Sequence, residues 1–443
     1  MKRIFWTTLL LSVLIYPIKA QDSTRITNTH VNNRGRLAFE SNDKRFSWEY
    51  GTRFFIDGAT YFSNQNLSNV TYKSDEFNFS NGVTPRVIRF SIEGCFDKKW
   101  IGEFDLDFSY NELEIKDLYI GYKINPSLLI KAGNFKEPFS IGNIDLAKYL
   151  SFMERPLAVD AFSPSRALGL SFTGFTNHIY ASAGIFGQEA GLNLKTANRG
   201  NDGYAVTSRV AYFPINGKNQ TLHIGLSGSY RTPDSNGSID RSVEFRTFPE
   251  SNIDRRRFVD AVVSNVNYFT RGSAEIAYRY DRLLLQGEYL VTNISRYTYD
   301  INDNKIALKN AIFDGWYASA MYTIWGNRQH YEEKRATFES RKVTGKKGTL
   351  EAGLRYSYIN MNDFHETYTP LYWITGGESD IITAQINWAP INNIRFSLAY
   401  SIVDNDKWAN AEDNIKKNGL DLNNSMTSGL DFNTLQFRIA ALF

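Results

Sequence analysis

Apolar and polar residues alternate along most of this chain, from about residue 46 to its end. The clearest run is 103–110, where every second side chain is aromatic or aliphatic and the side chains between them are those of Glu103, Asp105, Asp107 and Ser109. Successive side chains of an extended strand point to opposite faces, so one face of this strand is apolar and the other carries carboxylates. Each carboxylate would cost several kcal/mol in a dry core but little in a wet lumen. The pattern therefore predicts the wall of a water-filled barrel rather than a soluble sandwich.

The alternating segments number sixteen, an even count that is typical of single-chain bacterial barrels and large enough for an aqueous channel. We therefore predict an all-β fold, a 16-stranded antiparallel transmembrane β-barrel. Short turns and long connections alternate between the segments, and this phase places both chain ends in the periplasm. The junction 326–347 is long where a short turn is expected, so either the strands extend into it or one segment is misassigned. The segments are 46–62, 85–97, 99–110, 113–124, 127–137, 166–174, 178–187, 204–213, 220–232, 268–280, 282–294, 312–325, 348–360, 378–389, 392–404 and 430–443.

The two ends of the chain predict export to an outer membrane. Lys2 and Arg3 precede a short apolar stretch, and a small residue, Ala20, follows it, so 1–20 is predicted to be a secretory signal. This stretch is too short for a spanning helix, and no later run is long enough either. The polar, aperiodic stretch 21–45 is predicted to be a flexible periplasmic arm, and 46–443 the barrel. An alternating stripe that ends on Phe443 is typical of the closing strand of an outer-membrane barrel, so Phe443 is predicted to be an assembly signal for the barrel-assembly machinery.

Composition narrows the functional classes. The formal charge of +3 includes three basic residues of the predicted signal, and removing them leaves 47 basic against 47 acidic residues. The single cysteine, Cys95, has no internal disulfide partner, and the five histidines lack metal-ligand spacing. No enzyme, cofactor or metal motif is present, and we predict no nucleic-acid partner. Any selectivity must therefore come from where the charges sit.

The inward-facing charges are predicted to give the lumen one acidic wall and one basic wall. The first four strands carry an acidic wall, marked by Glu103, Asp105 and Asp107, together with Arg53 and Arg89. The later strands carry mainly basic residues, so the lumen would hold a transverse field that orients polar solutes and a basic ladder that passes anions. The alternative is that these charges simply pair across neighbouring strands. The basic residues concerned are Lys131, Arg209, Arg231, Arg279, Arg355 and Arg395.

The segment 138–165 is the predicted constriction. It is long and has no strand character, a combination that usually marks a functional or a disordered loop. Apolar anchors are mixed in this region with Lys148, Arg155 and Arg166, so the segment is predicted to pack onto the wall and hold cations in the lumen. The alternative is a surface lid whose charges are solvated.

A family resemblance appears around this segment. The stretches 133–140 (GNFKEPFS), 152–156 (FMERP) and 161–166 (AFSPSR) resemble the phosphate-selective porin O and P family, and the likeness extends over roughly 46–443. The resemblance implies a trimeric outer-membrane channel of a Gram-negative bacterium, with sixteen strands and an inward-folded third outer loop. It also implies basic residues that attract phosphate or polyphosphate. The positions that match are Lys136, Arg155 and Arg166.

The sequence thus predicts a porin for passive diffusion of small anions, with phosphate or polyphosphate favoured. One alternative is a non-specific or oligosaccharide channel in which aromatics such as Tyr119 form a stacking track. Another is a plugged structural or surface-binding barrel. The expected partners are small anions, outer-membrane lipid and lipopolysaccharide, the assembly machinery and two further copies of the chain.

Overall fold

The structure is a computed structural model that describes most of the chain. The predicted signal at 1–20 lies outside the described residues, as do parts of the long connections. The described residues are 26–31, 36–63, 71–72, 75–76, 78–188, 190, 203–234, 241–339, 343, 345–364, 373–406, 409 and 429–443.

Sixteen long strands in the described residues form one closed antiparallel barrel, which confirms the predicted fold class. Each strand pairs with the next, and the last closes onto the first from Asn433 opposite Phe62 to Leu442 opposite Arg53. The strands are β1 (Phe46–Phe62), β2 (Gly82–Phe96), β3 (Trp100–Asp107), β4 (Glu114–Asn125), β5 (Leu128–Lys136), β6 (Arg166–Phe175), β7 (Ile179–Phe186), β8 (Ala205–Asn216), β9 (Gln220–Arg231), β10 (Val266–Tyr280), β11 (Leu283–Tyr299), β12 (Ala311–Trp325), β13 (Thr349–Asp363), β14 (Ile374–Ile391), β15 (Ile394–Asn405) and β16 (Phe432–Leu442).

Shorter elements lie in the connections. No helix among the described residues has both the length and the apolar character needed to cross a membrane. The short helices are α1 (Ile141–Ile144), α2 (Leu157–Phe162) and a 3-10 turn (Ser109–Asn111). The short strands are Thr71–Tyr72 with Asp75–Glu76, Val243–Thr247 with Val259–Val263, His330–Glu332 with Thr337–Glu339, and Lys305–Ala307 beside β11.

The barrel buries polar side chains and exposes apolar ones, the reverse of a soluble protein. In β16, for example, Leu435 and Phe437 are exposed on the outside, whereas Gln436 and Arg438 are buried on the inside. Asp105 is likewise buried on the inward face of β3. This arrangement suits an apolar outer band in lipid around a charged interior.

The junction 326–348 carries a hairpin of its own. β12 ends at Trp325 and β13 begins at Thr349, so neither predicted explanation of this long junction is right. The hairpin (His330–Glu332 with Thr337–Glu339) instead folds back and buries Tyr331 and Phe338 against inward-facing side chains of the barrel. Burial of these aromatic rings stabilises the hairpin. The other connections at the same end of the barrel are short turns, so this junction differs from them.

The predicted flexible arm 21–45 contains regular structure. Strands Ile26–Val31 and Leu37–Ser41 pair with each other, and the second also pairs with the start of β1, where Phe39 lies opposite Trp48. β1 begins at Phe46, whereas the pairing of β16 with β1 starts only at Arg53. The backbone hydrogen-bonding groups at the start of β1 are therefore available to a further strand. The predicted flexible arm thus contains two strands, and its flexibility and periplasmic location remain predictions.

Candidate functional site

The segment 137–165 runs against inward-facing side chains on the far wall of the barrel. At the start of α1, the Ile141 N–H donates to Glu275 Oε2 at 2.5 Å and the Gly142 N–H donates to Glu288 Oε1 at 2.8 Å. Further along, the Met153 N–H donates to Gln385 Oε1 at 2.9 Å. These acceptors belong to β10, β11 and β14, so barrel side chains satisfy the backbone of this irregular segment at three places.

Glu154 ties the same segment to the strands where the barrel closes. Its carboxylate accepts two hydrogen bonds from Arg86, at 3.1 and 3.0 Å, and one from Arg438 at 2.6 Å. Arg438 also donates to both carboxylate oxygens of Asp57, at 2.7 and 2.6 Å. Burial alone would raise the pKa of Glu154, but Arg86 and Arg438 together lower that pKa to about 2. Glu154 is therefore ionised at any physiological pH.

The strand alternation did not predict an inward Arg86. On β2 the inward residues are odd-numbered, from Val87 to Cys95. A register shift leaves Arg86 without a direct partner on β1, because Phe55 lies opposite Val87 while the next residue lies opposite Pro85. Such a bulge turns a side chain toward the other face of the strand. A proline within a strand often marks a bulge, so Pro85 was the sequence feature that could have predicted it.

A cavity of about 510 Å³ lies between the segment and β4–β6. Lys136, Arg155 and Arg166 line it, so the structure brings the three family-matched cations together. Arg166 donates two hydrogen bonds to Asp117 Oδ2, at 3.2 and 2.8 Å. The Lys136 ammonium donates to the backbone carbonyl of Asn143.

Arg155 braces the segment itself. Its Nε donates to the Gly142 carbonyl at 2.9 Å and its Nη2 donates to the Asp145 carbonyl at 2.7 Å. Burial lowers the pKa of Arg155, with Asp160 and Asp145 opposing the change. Lys148, in contrast, does not line this cavity; it is buried, with its ammonium 4.8 Å from the centre of the Tyr149 ring.

Most of the other predicted pore cations form ion pairs with carboxylates in the described residues, but only the pair of Arg89 with Asp107 joins neighbouring strands, as the alternative of cross-strand pairing predicted. These pairs are Arg53 with Asp105 at 3.0 Å, Arg89 with Asp107 at 2.8 Å, Arg209 with Glu275 at 2.8 Å, Arg355 with Glu250 at 2.5 Å, and Arg231 with Glu137.

Three predicted cations have other surroundings. Arg279 donates to the Thr221 hydroxyl at 2.7 Å, and Arg395 donates to the Leu150 carbonyl at 3.0 Å. The Lys131 ammonium lies 5.0 Å from the centre of the Tyr119 ring and 4.4 Å from that of Phe135. Lys131 thus faces two aromatic rings at a level between Leu129 and Lys136 of the same strand.

The predicted acidic wall is mixed in charge. Carboxylate oxygens of Glu103, Asp105 and Asp117 lie within 4.8 Å of one another. Arg53 and Arg89 lie beside Asp105, and Arg166 pairs with Asp117, so arginines balance much of the negative charge. Asp107 is in turn bonded to Arg89 and to the Ser109 hydroxyl. The two signs of charge therefore interleave on this side of the barrel instead of facing each other across it.

Two connections from opposite ends of the barrel meet at Glu275. The carboxylate binds the start of α1, and it also contacts Arg209 and His223, each through a hydrogen bond of 2.9 Å. His223 Nδ1 lies 2.6 Å from the hydroxyl of Tyr331 in the hairpin of the 326–348 junction. Arg209 donates to the carbonyls of residues 335 and 336 in the same hairpin, at 3.0 and 2.8 Å. Sequence reasoning missed this cluster because its members lie far apart along the chain.

Residues 241–265 of the connection after β9 also turn inward. Glu250 accepts hydrogen bonds from Ser357 at 2.5 Å and from Thr383 at 3.2 Å, in addition to its ion pair with Arg355. In the adjoining short hairpin, Phe245 packs edge-on against Phe162 of α2 with the ring centres 6.3 Å apart. Three connections therefore occupy part of the barrel interior.

A second cavity, of about 1050 Å³, lies at the end of the barrel that carries the short turns. Tyr119 lines it and donates to Glu103 at 3.1 Å. The Tyr119 ring also packs edge-on against Phe135, which in turn packs against Phe186. These three rings form a small cluster rather than the extended stacking track that an oligosaccharide channel would need.

Phe443 closes the barrel through its backbone. Its N–H donates to the Thr52 carbonyl at 3.0 Å, and its carbonyl accepts from the Thr52 N–H at 2.6 Å. The Phe443 side chain is exposed. The predicted assembly role of Phe443 remains a prediction.

Comparison with known proteins agrees with this architecture. The chain is 26% identical over 331 residues to an uncharacterised protein of Caulobacter vibrioides, an alignment that covers 73% of this chain and 63% of that relative. It is 23% identical over 411 residues to Porin O of Pseudomonas aeruginosa, covering 86% of this chain and 88% of that protein.

Solved structures share the fold at low identity. The anion-selective porin from Comamonas acidovorans superposes with a TM-score of 0.52 at 11% identity, covering 90% of this chain and 100% of that one. A loop-deletion mutant of OmpT from Vibrio cholerae superposes with a TM-score of 0.51 at 9% identity, with the same coverage.

The model of the family described as phosphate-selective porin O and P matches residues 62–429. Together with the barrel, this match indicates a channel rather than an enzyme, in the outer membrane of a Gram-negative bacterium. The chain therefore belongs to the phosphate-selective porin O and P family.

Proposed function

We propose that this porin passes small anions by passive diffusion, with phosphate or polyphosphate favoured. The observation that carries the proposal is the cavity shared by Lys136, Arg155 and Arg166 between the segment 137–165 and the barrel wall. Arginine stays charged at every working pH, and its planar fork matches phosphate oxygens. In this proposal the segment forms the constriction, and anions pass between it and β4–β6.

Carboxylates among the cations of this cavity favour weak rather than tight binding of an anion. Because Asp117 bonds Arg166, an arriving phosphate competes with a carboxylate for the guanidinium. A site that conducts must release its ion, so partial neutralisation of the cations suits transport. The backbone carbonyls around Arg155 also hold its side chain in place, which reduces the entropy lost on binding.

We further propose a homotrimer whose chain ends and short turns lie in the periplasm, a cleaved signal at 1–20, assembly through the machinery that recognises Phe443, and outer loops in contact with lipopolysaccharide. The family resemblance supports the trimer. The arrangement of short and long connections along the barrel supports the orientation.

A plugged structural barrel is the second candidate, because three connections occupy part of the interior. Chloride current through single molecules in a planar bilayer separates the two. The proposal predicts a small, stable conductance that phosphate reduces in a saturable way. No current at all would support the plugged barrel, and current that phosphate leaves unchanged would contradict phosphate preference.

Two charge-neutralising variants test the site. Arg155→Gln and Arg166→Gln are each expected to weaken the inhibition of chloride current by phosphate. Arg166→Gln should have the larger effect, because it also leaves Asp117 without its ion pair. Arg45→Gln is the control, since Arg45 is exposed and paired with Asp97 away from the cavity. Equal inhibition in all three variants would show that the cavity does not bind phosphate.

A further inference from the structure

Apolar side chains face the second cavity, at the end with the short turns. Ile101, Leu129 and Phe175 line it, and none of the three is fully buried. Ile101 lies two residues before Glu103 and Leu129 two residues before Lys131, so both point inward with those charged side chains. A barrel lumen ordinarily presents polar side chains to water, so this apolar surface favours a solute that covers it.

The charge around this apolar surface is positive. Four lysines line the cavity: Lys98, Lys99, Lys123 and Lys334. Three carboxylates also line it, those of Glu40, Glu49 and Glu93; Glu49 and Glu93 share one buried guanidinium, that of Arg36, which balances one of their two charges. With Arg36 included, five positive charges stand against three negative ones, so the cavity favours an anionic solute.

Lys131 lies on β5 between residues that line the two cavities. Its strand, β5, presents Leu129 to the second cavity and Lys136 to the first. The Lys131 ammonium lies over the Tyr119 and Phe135 rings, and the partly exposed Tyr119 ring lines the second cavity. An anion with an apolar part finds a partner for each of its parts along this wall.

We infer that the second cavity binds organic anions, in which a phosphate or carboxylate group carries an aromatic or acyl part. The anionic group contacts the lysines while the apolar part covers Ile101, Leu129 and Phe175. The inference rests on the proposed function and deepens it, because it names a class of anion for the same channel. The cavity volume, about 1050 Å³, accommodates a solute much larger than inorganic phosphate.

The only cysteine of the sequence, Cys95, lines this cavity and provides a reporter. Its sulfur lies 4.0 Å from the Lys123 ammonium. The experiment measures the rate at which a neutral methanethiosulfonate modifies Cys95 in the purified full chain, with increasing phenyl phosphate or inorganic phosphate. Phenyl phosphate is expected to halve the rate at about one tenth of the concentration that inorganic phosphate needs, because only its ring covers the apolar surface.

Variants separate the apolar from the charged contribution. Leu129→Asn is expected to abolish the advantage of phenyl phosphate, and Lys123→Gln to weaken protection by both anions. Ile301→Asn is the matched control, because Ile301 is fully exposed and lines neither cavity. Equal protection by the two anions, or protection by neither, in the unmodified chain overturns the inference, and that comparison needs no variant.

The proposed function and this inference can be refuted separately. If the channel prefers cations but phenyl phosphate still protects Cys95 selectively, the organic-anion site stands and the anion porin does not. If phosphate inhibits chloride current but the two anions protect Cys95 equally, the porin proposal stands and this inference is wrong.

Discussion

Removing the Glu154 carboxylate tests whether the segment 137–165 is held against the closing strands of the barrel. In Glu154→Gln the side chain keeps its size but loses the charge that both Arg86 and Arg438 bind. Arg438 retains Asp57 as a partner. Arg86 keeps no carboxylate among the ion pairs of the described residues, so the variant is expected to release the segment on the Arg86 side.

The magnitude follows from the pKa of Glu154. A value of about 2 in place of the ordinary 4.5 corresponds to about 3 kcal/mol of favourable interaction with the ionised carboxylate. Because the folded pKa is depressed, this stabilisation is complete above about pH 4.5 and is lost as the pH falls through about 2. Breaking a buried pair by removing one partner costs about the same, roughly 3–5 kcal/mol.

Single-channel recording and thermal unfolding measure the consequence. We expect Glu154→Gln at pH 7 to show higher and noisier conductance, because a loosened segment obstructs the interior less, and a lower Tm. Glu244→Gln serves as the control, since Glu244 lies in an exposed part of the 232–265 connection. If conductance, noise and Tm all match those of the unmodified chain, Glu154 does not hold the segment and the reasoning is refuted.

Three further predictions concern other parts of the molecule. Burial raises the pKa of Asp145 to about 7, with Arg335 and Arg155 opposing, so its neutral form is stabilised at low pH and the contribution is lost as the pH rises through about 7. The ratio of anion to cation permeability should therefore fall between pH 6 and pH 8.5, and Asp145→Asn should remove that step; a step of unchanged size would contradict the assignment. Glu275→Gln should destabilise the barrel by about 3–5 kcal/mol, measured by thermal unfolding, because Arg209 loses its buried carboxylate; an unchanged Tm would mean that other contacts hold the two connections. Deleting Phe443 should reduce the heat-modifiable folded band on a gel, and a normal band would count against an assembly role.

Strand alternation determined the fold correctly because each residue on a strand must face either lipid or the interior. All sixteen predicted segments overlap the strands of the barrel. Asp105 and Gln436 are buried on the inward face, as the alternation predicts. The same local rule cannot predict which inward charges meet. Arg89 and Asp107, for instance, are direct cross-strand neighbours, a relation that depends on register between strands rather than on either strand alone.

Features that depend on distant contacts escaped prediction. The hairpin after β12 is stabilised by Tyr331 meeting His223, more than one hundred residues away in the chain. Arg86 turns inward because of a bulge on a strand whose alternation predicts the opposite. The 138–165 segment was singled out by its length, its apolar anchors and its family motifs, and its role as the constriction remains a prediction.

The reversal potential of single channels under a gradient of potassium chloride tests the central claim most directly. Lys136, Arg155 and Arg166 line one cavity of the proposed path, and four lysines line the other. We predict a stable conductance whose reversal potential has the sign of chloride selectivity and moves toward zero in Arg166→Gln. A reversal potential with the sign of potassium, or a barrel that carries no current, would contradict the account.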